Sequence, residues 1–322
     1  MTLAELLRIV PYLAAPAFFA LLGLAALGAP FLASICLIAA ESRRTQLPSA
    51  YARRVLRMGA TMAAVSLVVV AALVGTALVR TPWLQDWLRA GPVLPSVLAG
   101  LMVIFVISSV LHRAATPPRH QLSQTPIIKT VLLAVLALVV LWLALTILHD
   151  LVMQALEIVT APRDGSVAVV PLLLPNLTLP SSHFLTGLAA TQILAITCAS
   201  ALSQQYLLLR RDYEPFGQDA FSQLLLLASR CALRSGLLVA AAYPMTWSTL
   251  TNLLGDLPEA GVIRLLLSVS VGALLLACLF WALISRSARP SKRSGLIHGA
   301  GLLLWLCLTC LLSAALVYTY AR

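Results

Sequence analysis

Long stretches of this chain carry no polar face at all. Apolar residues dominate at approximately 11–40, 58–79, 95–112, 127–148, 184–207, 221–244, 262–285 and 295–319. A soluble amphipathic helix interrupts its apolar positions every third or fourth residue, and these runs do not. An α-helix of about 20 residues crosses about 30 Å of hydrocarbon, so each run predicts one membrane span. The first run is longer than that and has length to tilt or to project. The polar breaks between runs alternate in charge. Loops at 41–57, 113–129, 208–220 and 286–294 hold most of the arginines and lysines, among them Arg43, Arg44, Arg53, Arg54, Arg113, Arg119, Lys129, Arg210, Arg211, Arg286, Arg289, Lys292 and Arg293. The other loops hold Asp86, Asp150, Glu157, Asp164, Asp256 and Glu259. Basic loops stay cytoplasmic, which predicts eight spans with both termini outside.

The pattern is also written twice. FFALLGLAALGAPFLASICLIAAESRR (18–44) answers HFLTGLAATQILAITCASALSQQYLLLRR (183–211): each has a Gly-Leu-Ala-Ala core (Gly23 to Ala26, Gly187 to Ala190) and ends in paired arginines. Further on, ARRVLRMG (52–59) answers SRCALRSG (229–236), sharing Arg-x-x-Leu-Arg-x-Gly. A repeat of this length predicts two similar halves in the same orientation. The expected fold is all-α and integral to the membrane: a first four-helix bundle at 1–150, an apolar external linker loop at 151–183 and a second four-helix bundle at 184–322. In the linker, DLVMQALEIV (150–159) has the pattern of a short amphipathic helix, and VVPLLLPNLTLPSS (169–182) is punctuated by helix-stopping prolines.

Composition agrees with lipid as the main solvent. The 322 residues are 61% hydrophobic and 10% charged, with a mean hydropathy of +0.96, more apolar surface than a soluble core hides. The net charge of +11 sits in short clusters between apolar runs, where it reads as an orientation signal and not as a nucleic-acid footprint. Cys36, Cys198, Cys231, Cys278, Cys307 and Cys310 fall almost entirely in apolar stretches, which argues against a disulfide scaffold or cysteine-held iron–sulfur clusters. Glu5 and Arg8 precede an apolar run too long for a signal peptide, so the first run is read as a membrane helix.

The first half resembles the NrfD-type membrane subunits, the family of polysulfide-reductase and dimethyl-sulfoxide-reductase anchors. The Gly23 to Gly28 segment and Arg43-Arg44 look like that family's first helix. Leu78-Val79-Arg80-Thr81-Pro82-Trp83 looks like its turn after the second helix, followed by Ser96 and Gly100 at the start of the third. The chain departs from the pattern at Ala77, where the family carries a histidine, and in the extra residue between Arg80 and Pro82. The resemblance implies a quinone-interacting subunit of a respiratory oxidoreductase in the bacterial inner membrane. Such a subunit exchanges electrons between menaquinone or ubiquinone and an iron–sulfur protein docked outside, with further redox subunits and all metal centres on partner chains. No haem of its own is expected, and no nucleic acid.

A quinone site needs a flat apolar slot and one or two polar groups for the carbonyls. At the outer end of the first half the polar candidates are Tyr12, Arg80, Trp87, His149 and Asp150. His149 leads because an imidazole both donates and accepts near neutral pH. A rival is a haem held by His149 and His183; against it, every histidine sits at the end of a span and not within one. The Cys307-x-x-Cys310 spacing puts two cysteines on one helix face, the usual packing of small apolar residues. Arg230 and Arg234 are possible intramembrane charges, if the helix starts near Phe221; a start near Ser229, with 216–228 along the membrane surface, removes that expense. The competing functions are a structural anchor without a quinone site and a small-molecule transporter.

Overall fold

The computed structural model of the chain describes residues 3–43, 46–80, 131–132, 134–135, 139, 182–211, 213, 217–254 and 260–321. Among these residues the long helices are α1 (Leu3–Arg43), α2 (Gln46–Arg80), α3 (Ser182–Leu209), α4 (Gln218–Leu254), α5 (Ala260–Ser285) and α6 (Ser294–Ala321). A single 3-10 turn, Pro290–Arg293, leads into α6, and there is no strand among the described residues. Among the described residues, five stretches are long and apolar enough to cross a membrane: Leu13–Ser42, Leu188–Leu209, Gln218–Tyr243, Ala260–Ser285 and Pro290–Tyr318. The chain is therefore an all-helical, multi-pass membrane protein. The runs predicted at 95–112 and 127–148 and the linker 151–183 fall outside the described residues, apart from helical positions at Val131, Leu132, Ala134, Val135 and Val139 in the second run and Ser182 and His183 at the linker's end.

Two helix boundaries differ from the sequence reading. The segment 41–57 is expected to be a loop, yet α1 continues to Arg43 and α2 already starts at Gln46. Its arginines and alanines are good helix formers, and Pro48 sits in the first turn, where its missing N–H costs nothing. Likewise α4 is one helix from Gln218, so 218–228 is not a separate surface segment. Asp219 in its first turn complements the helix dipole. Charge ends an apolar run, but it does not end a helix.

Close contacts fix the directions of the helices. The Gly28 position of α1 lies against the Ala195 carbonyl of α3. From there, α1 proceeds to Cys36 and α3 to Ser203, and both of these adjoin Tyr51 of α2. The repeat mates α1 and α3 therefore run parallel. In the other direction, Gly59 of α2 faces Ala29 and the Ala26 carbonyl of α1, and Gly236 of α4 faces Thr197 of α3, so each helical hairpin is antiparallel. These glycines are the shared end of Arg-x-x-Leu-Arg-x-Gly: the motif recurs because each hairpin needs one residue without a side chain at its crossing. Pro30 also withholds the N–H that would bond the Ala26 carbonyl, leaving that oxygen turned toward Gly59.

Helices α5 and α6 complete the described bundle. Gly236 fits against Cys278 and the buried Trp281 of α5. The Tyr243 hydroxyl donates to Ser270 Oγ (3.0 Å), and Ser270 donates on to the Cys307 carbonyl (3.1 Å), which joins α4, α5 and α6. Helix α6 also packs on α1, where Trp305 Nε1 donates to the Ala14 carbonyl (2.7 Å) and Phe18 meets the Trp305 ring edge-on. Small residues such as Ala25, Ala29, Ala33, Ala195, Ala199, Ala228 and Ala277 lie inside. Leu238, Leu265, Leu275, Leu279, Leu302 and Leu306 lie outside. That inversion of the soluble pattern is what a lipid solvent selects, since close backbone packing is then the main attraction between helices.

Candidate functional site on the central helix

Helix α3 touches α1, α2, α4 and α6, and it carries an unusual polar load for so enclosed an element. Gln192, Thr197, Ser200, Ser203 and Gln204 are all buried. The hydroxyls find partners within their own helix: Thr197 donates to the Ile193 carbonyl (3.0 Å), Ser200 to Ile196 (2.8 Å) and Ser203 to Ser200 (2.7 Å). Gln205 reaches across to the Ile297 carbonyl of α6 (2.8 Å). The two buried glutamines do neither. Both the oxygen and the nitrogen of Gln192, and both of Gln204, are buried without a hydrogen-bond partner. A buried polar group left unpaired costs about 1–3 kcal/mol, so two such amides on one helix call for an explanation beyond packing.

The two glutamines lie on opposite sides of the Gly28–Ala195 crossing. Gln204 lies toward the α1–α2 and α3–α4 turns, the hairpin end of the bundle. There four helices converge on a polar cluster. Ser203 Oγ accepts from the Tyr51 hydroxyl at 2.6 Å, and Tyr51 is completely buried; burial pushes that phenol well above its ordinary pKa and keeps it protonated. Cys36 of α1 and Cys231 of α4 lie in the same region. The end is closed by Arg211 over the Phe221 ring (5.8 Å) and Arg210 over Tyr206 (5.4 Å).

Gln192 lies on the other side, toward the open end. Tyr12 is near the start of α1, Arg80 is the last residue of α2 and His183 is in the first turn of α3. The antiparallel α1–α2 pairing and the parallel α1–α3 pairing bring these three positions to the same end. Their side chains, together with all of Trp87, His149 and Asp150, lie outside the described residues. The nine-residue step from His183 to Gln192 covers about 14 Å of helix, which places Gln192 well within the bundle.

Arg230 and Arg234 are both exposed on the flank of α4 and do not face the bundle interior. A charged side chain facing hydrocarbon costs at least a few kcal/mol, and both arginines fall within the membrane-crossing stretch Gln218–Tyr243. Their repeat mates Arg53 and Arg57 are half-buried at the same level of α2.

Cys307 and Cys310 are buried, and Cys307 Sγ lies 3.1 Å from Ser270 Oγ, a packing position in α6. Among the described residues no group of three or more His, Cys, Asp or Glu side chains is placed to hold a metal. Sequence reasoning passed over Gln192 and Gln204, although two carboxamides inside one apolar run are a visible signal. It had no means of placing Cys36 and Cys231 in one region of the bundle.

No family model, curated protein or solved structure matches the chain.

Proposed function

We propose that the chain is a quinone-interacting membrane subunit of a respiratory oxidoreductase, similar to the NrfD type, in the bacterial cytoplasmic membrane. In this reading eight spans form two four-helix halves with both termini outside and the hairpin end in the cytoplasm. Menaquinone or ubiquinone binds from the open end. Electrons pass to an iron–sulfur partner docked on the outer face, and the metal centres belong to partner chains.

The observation that carries the reading is the partnerless Gln192 carboxamide, buried among apolar side chains on the open-end side of the α1–α3 crossing. Its N–H groups suit a quinone carbonyl, which is a hydrogen-bond acceptor in an apolar ring. Tyr12, Arg80, Trp87, His149 and Asp150 then line the route in, with His149 exchanging the proton. Quinol oxidation at that end releases protons outside while electrons leave to the docked protein. The clustering of basic residues at the hairpin end supports the orientation.

The test is binding of a fluorescent quinone analogue to the purified subunit in lipid nanodiscs. Gln192→Leu and His149→Ala each remove one hydrogen bond, about 0.5–1.5 kcal/mol, and are expected to weaken binding by several-fold. His298→Ala, exposed near the start of α6, is expected to leave it unchanged. Wild-type protein that binds no analogue defeats the reading and leaves the structural anchor or the small-molecule transporter. The buried polar face of α3 favours the transporter of those two.

A further inference from the structure

We propose that Arg230 and Arg234, on the exposed flank of α4, bind the phosphate of one anionic phospholipid whose acyl chains lie along Leu237, Leu238 and Ala241. The inference stands apart from the quinone reading and from which face of the membrane is cytoplasmic. It starts from the exposed residues of α4 taken in order. On the Gln218 side they are Gln218, Asp219, Gln223, Arg230 and Arg234, all polar or charged. Beyond them come Leu237 (48% exposed), Leu238 (58%) and Ala241, all apolar. The stretch Gln218–Tyr243 is apolar on average partly through Leu224 and Leu225, and both of these are buried. Lipid meets only the exposed side chains, so on this flank the headgroup layer gives way to hydrocarbon between Arg234 and Leu237.

Helix length and side-chain direction agree with that level. The 37 residues of α4 extend about 55 Å, against about 30 Å of hydrocarbon, so part of the helix lies outside the apolar layer. The Cα–Cβ bonds of a helix tilt toward its N-terminus, here the Gln218 side, so both arginines start out toward the headgroups and away from Leu237. Arg230 and Arg234 are one turn apart on one face, about 6 Å along the axis. Two guanidiniums at that spacing can donate to the oxygens of a single phosphate.

The protein does not supply the counter-charge. Among the described residues neither arginine makes a hydrogen bond, an ion pair or a ring contact. Other arginines do: Arg54 donates to the Ala50 carbonyl (2.7 Å), Arg210 lies over the Tyr206 ring (5.4 Å) and Arg293 donates to the Leu283 carbonyl (3.2 Å). The exposed carboxylate of this flank, Asp219, precedes Arg230 by eleven positions, about 16 Å along the axis. Like charges one turn apart repel, and an anion between them removes the repulsion. A phospholipid answers both halves of the surface, its phosphate the arginines and its chains the leucines, whereas free phosphate answers only one. The first copy of the motif does not repeat the site. Arg53 and Arg57 are half-buried there, and Ala60, the mate of Leu237, is buried.

The experiment uses the full chain in phosphatidylcholine nanodiscs containing a minor fraction of phosphatidylglycerol that carries a photoactivatable diazirine on one acyl chain. The wild type is expected to be labelled within residues 237–241, and unlabelled phosphatidylglycerol is expected to compete at least about fivefold better than phosphatidylcholine, the preference expected of one arginine near a lipid headgroup. The double variant Arg230→Gln/Arg234→Gln is expected to lose the preference. Arg286→Gln/Arg289→Gln, which removes the same charge from the α5–α6 turn, is expected to keep it. The position of the label in the wild type decides the question if either variant folds poorly. Equal competition by the two lipids, label that avoids 237–241, or an equal loss in both double variants overturns the proposal, the last because it shows a diffuse attraction and not a site.

Discussion

Replacing Gly28 and Gly23 separately by alanine separates the contact that holds the repeat together from the motif that advertises it. Gly23 begins the Gly-Leu-Ala-Ala core shared by the two copies, yet an added Cβ there meets nothing within 4 Å. At Gly28 an added Cβ collides with the Ala195 carbonyl and comes within 2.8 Å of the Ile196 nitrogen. Those atoms are backbone and cannot swing aside, so α1 and α3 must separate. Alanine inside a helix is favoured over glycine by about 0.5–1 kcal/mol, and Gly23→Ala should gain that amount. Overpacking costs about 1–3 kcal/mol, and a backbone clash belongs at the upper end. Gly28→Ala should therefore lose about 2 kcal/mol net, since the helix gain offsets only part of the clash. The assay is reversible unfolding in mixed micelles with increasing sodium dodecyl sulfate, followed by tryptophan fluorescence. Equal midpoints for the two variants would refute the close crossing of α1 and α3, and with it the parallel pairing that orders the bundle.

The remaining expectations follow from the glutamines and from the orientation. Gln204→Leu removes an unpaired buried carboxamide and should stabilise the unliganded protein by about 1–3 kcal/mol in the same unfolding assay; an equally large loss would mean that Gln204 holds a bound polar partner. Cysteines introduced at Gln121 and at Ser166, in a Cys231→Ser background, should react with an impermeant thiol reagent from opposite faces of sealed vesicles. Reaction of both from one face would remove the eight-span topology.

The sequence made the helices legible wherever lipid is the solvent, because there an apolar run and a helix coincide. It failed where a helix leaves the lipid. Arg43 and the stretch 46–57 look like a loop beside the run before them, yet the backbone stays helical, since nothing about an arginine opposes a helix in water. The same logic shifted Arg230 and Arg234. From the sequence they are either buried charges or the start of a helix, and in the structure they are exposed side chains partway along a single α4. The repeat was visible as letters, but its meaning was not. Gly59 and Gly236 matter through the Ala29 Cβ and the Cys278 Sγ that they admit, and no spacing rule names those neighbours.

The crossing at Gly28 and Ala195 also divides the chemistry of the bundle. Toward the open end, α3 offers Gln192 in an apolar interior, an environment in which a single hydrogen bond to a hydrophobic ring counts for more than it does in water. Toward the hairpin end, the same helix offers Ser203 and Gln204 to a cluster of hydroxyls and thiols ringed by arginine. Both ends draw on one rigid, closely packed helix, so a change in its packing at one end is felt at the other.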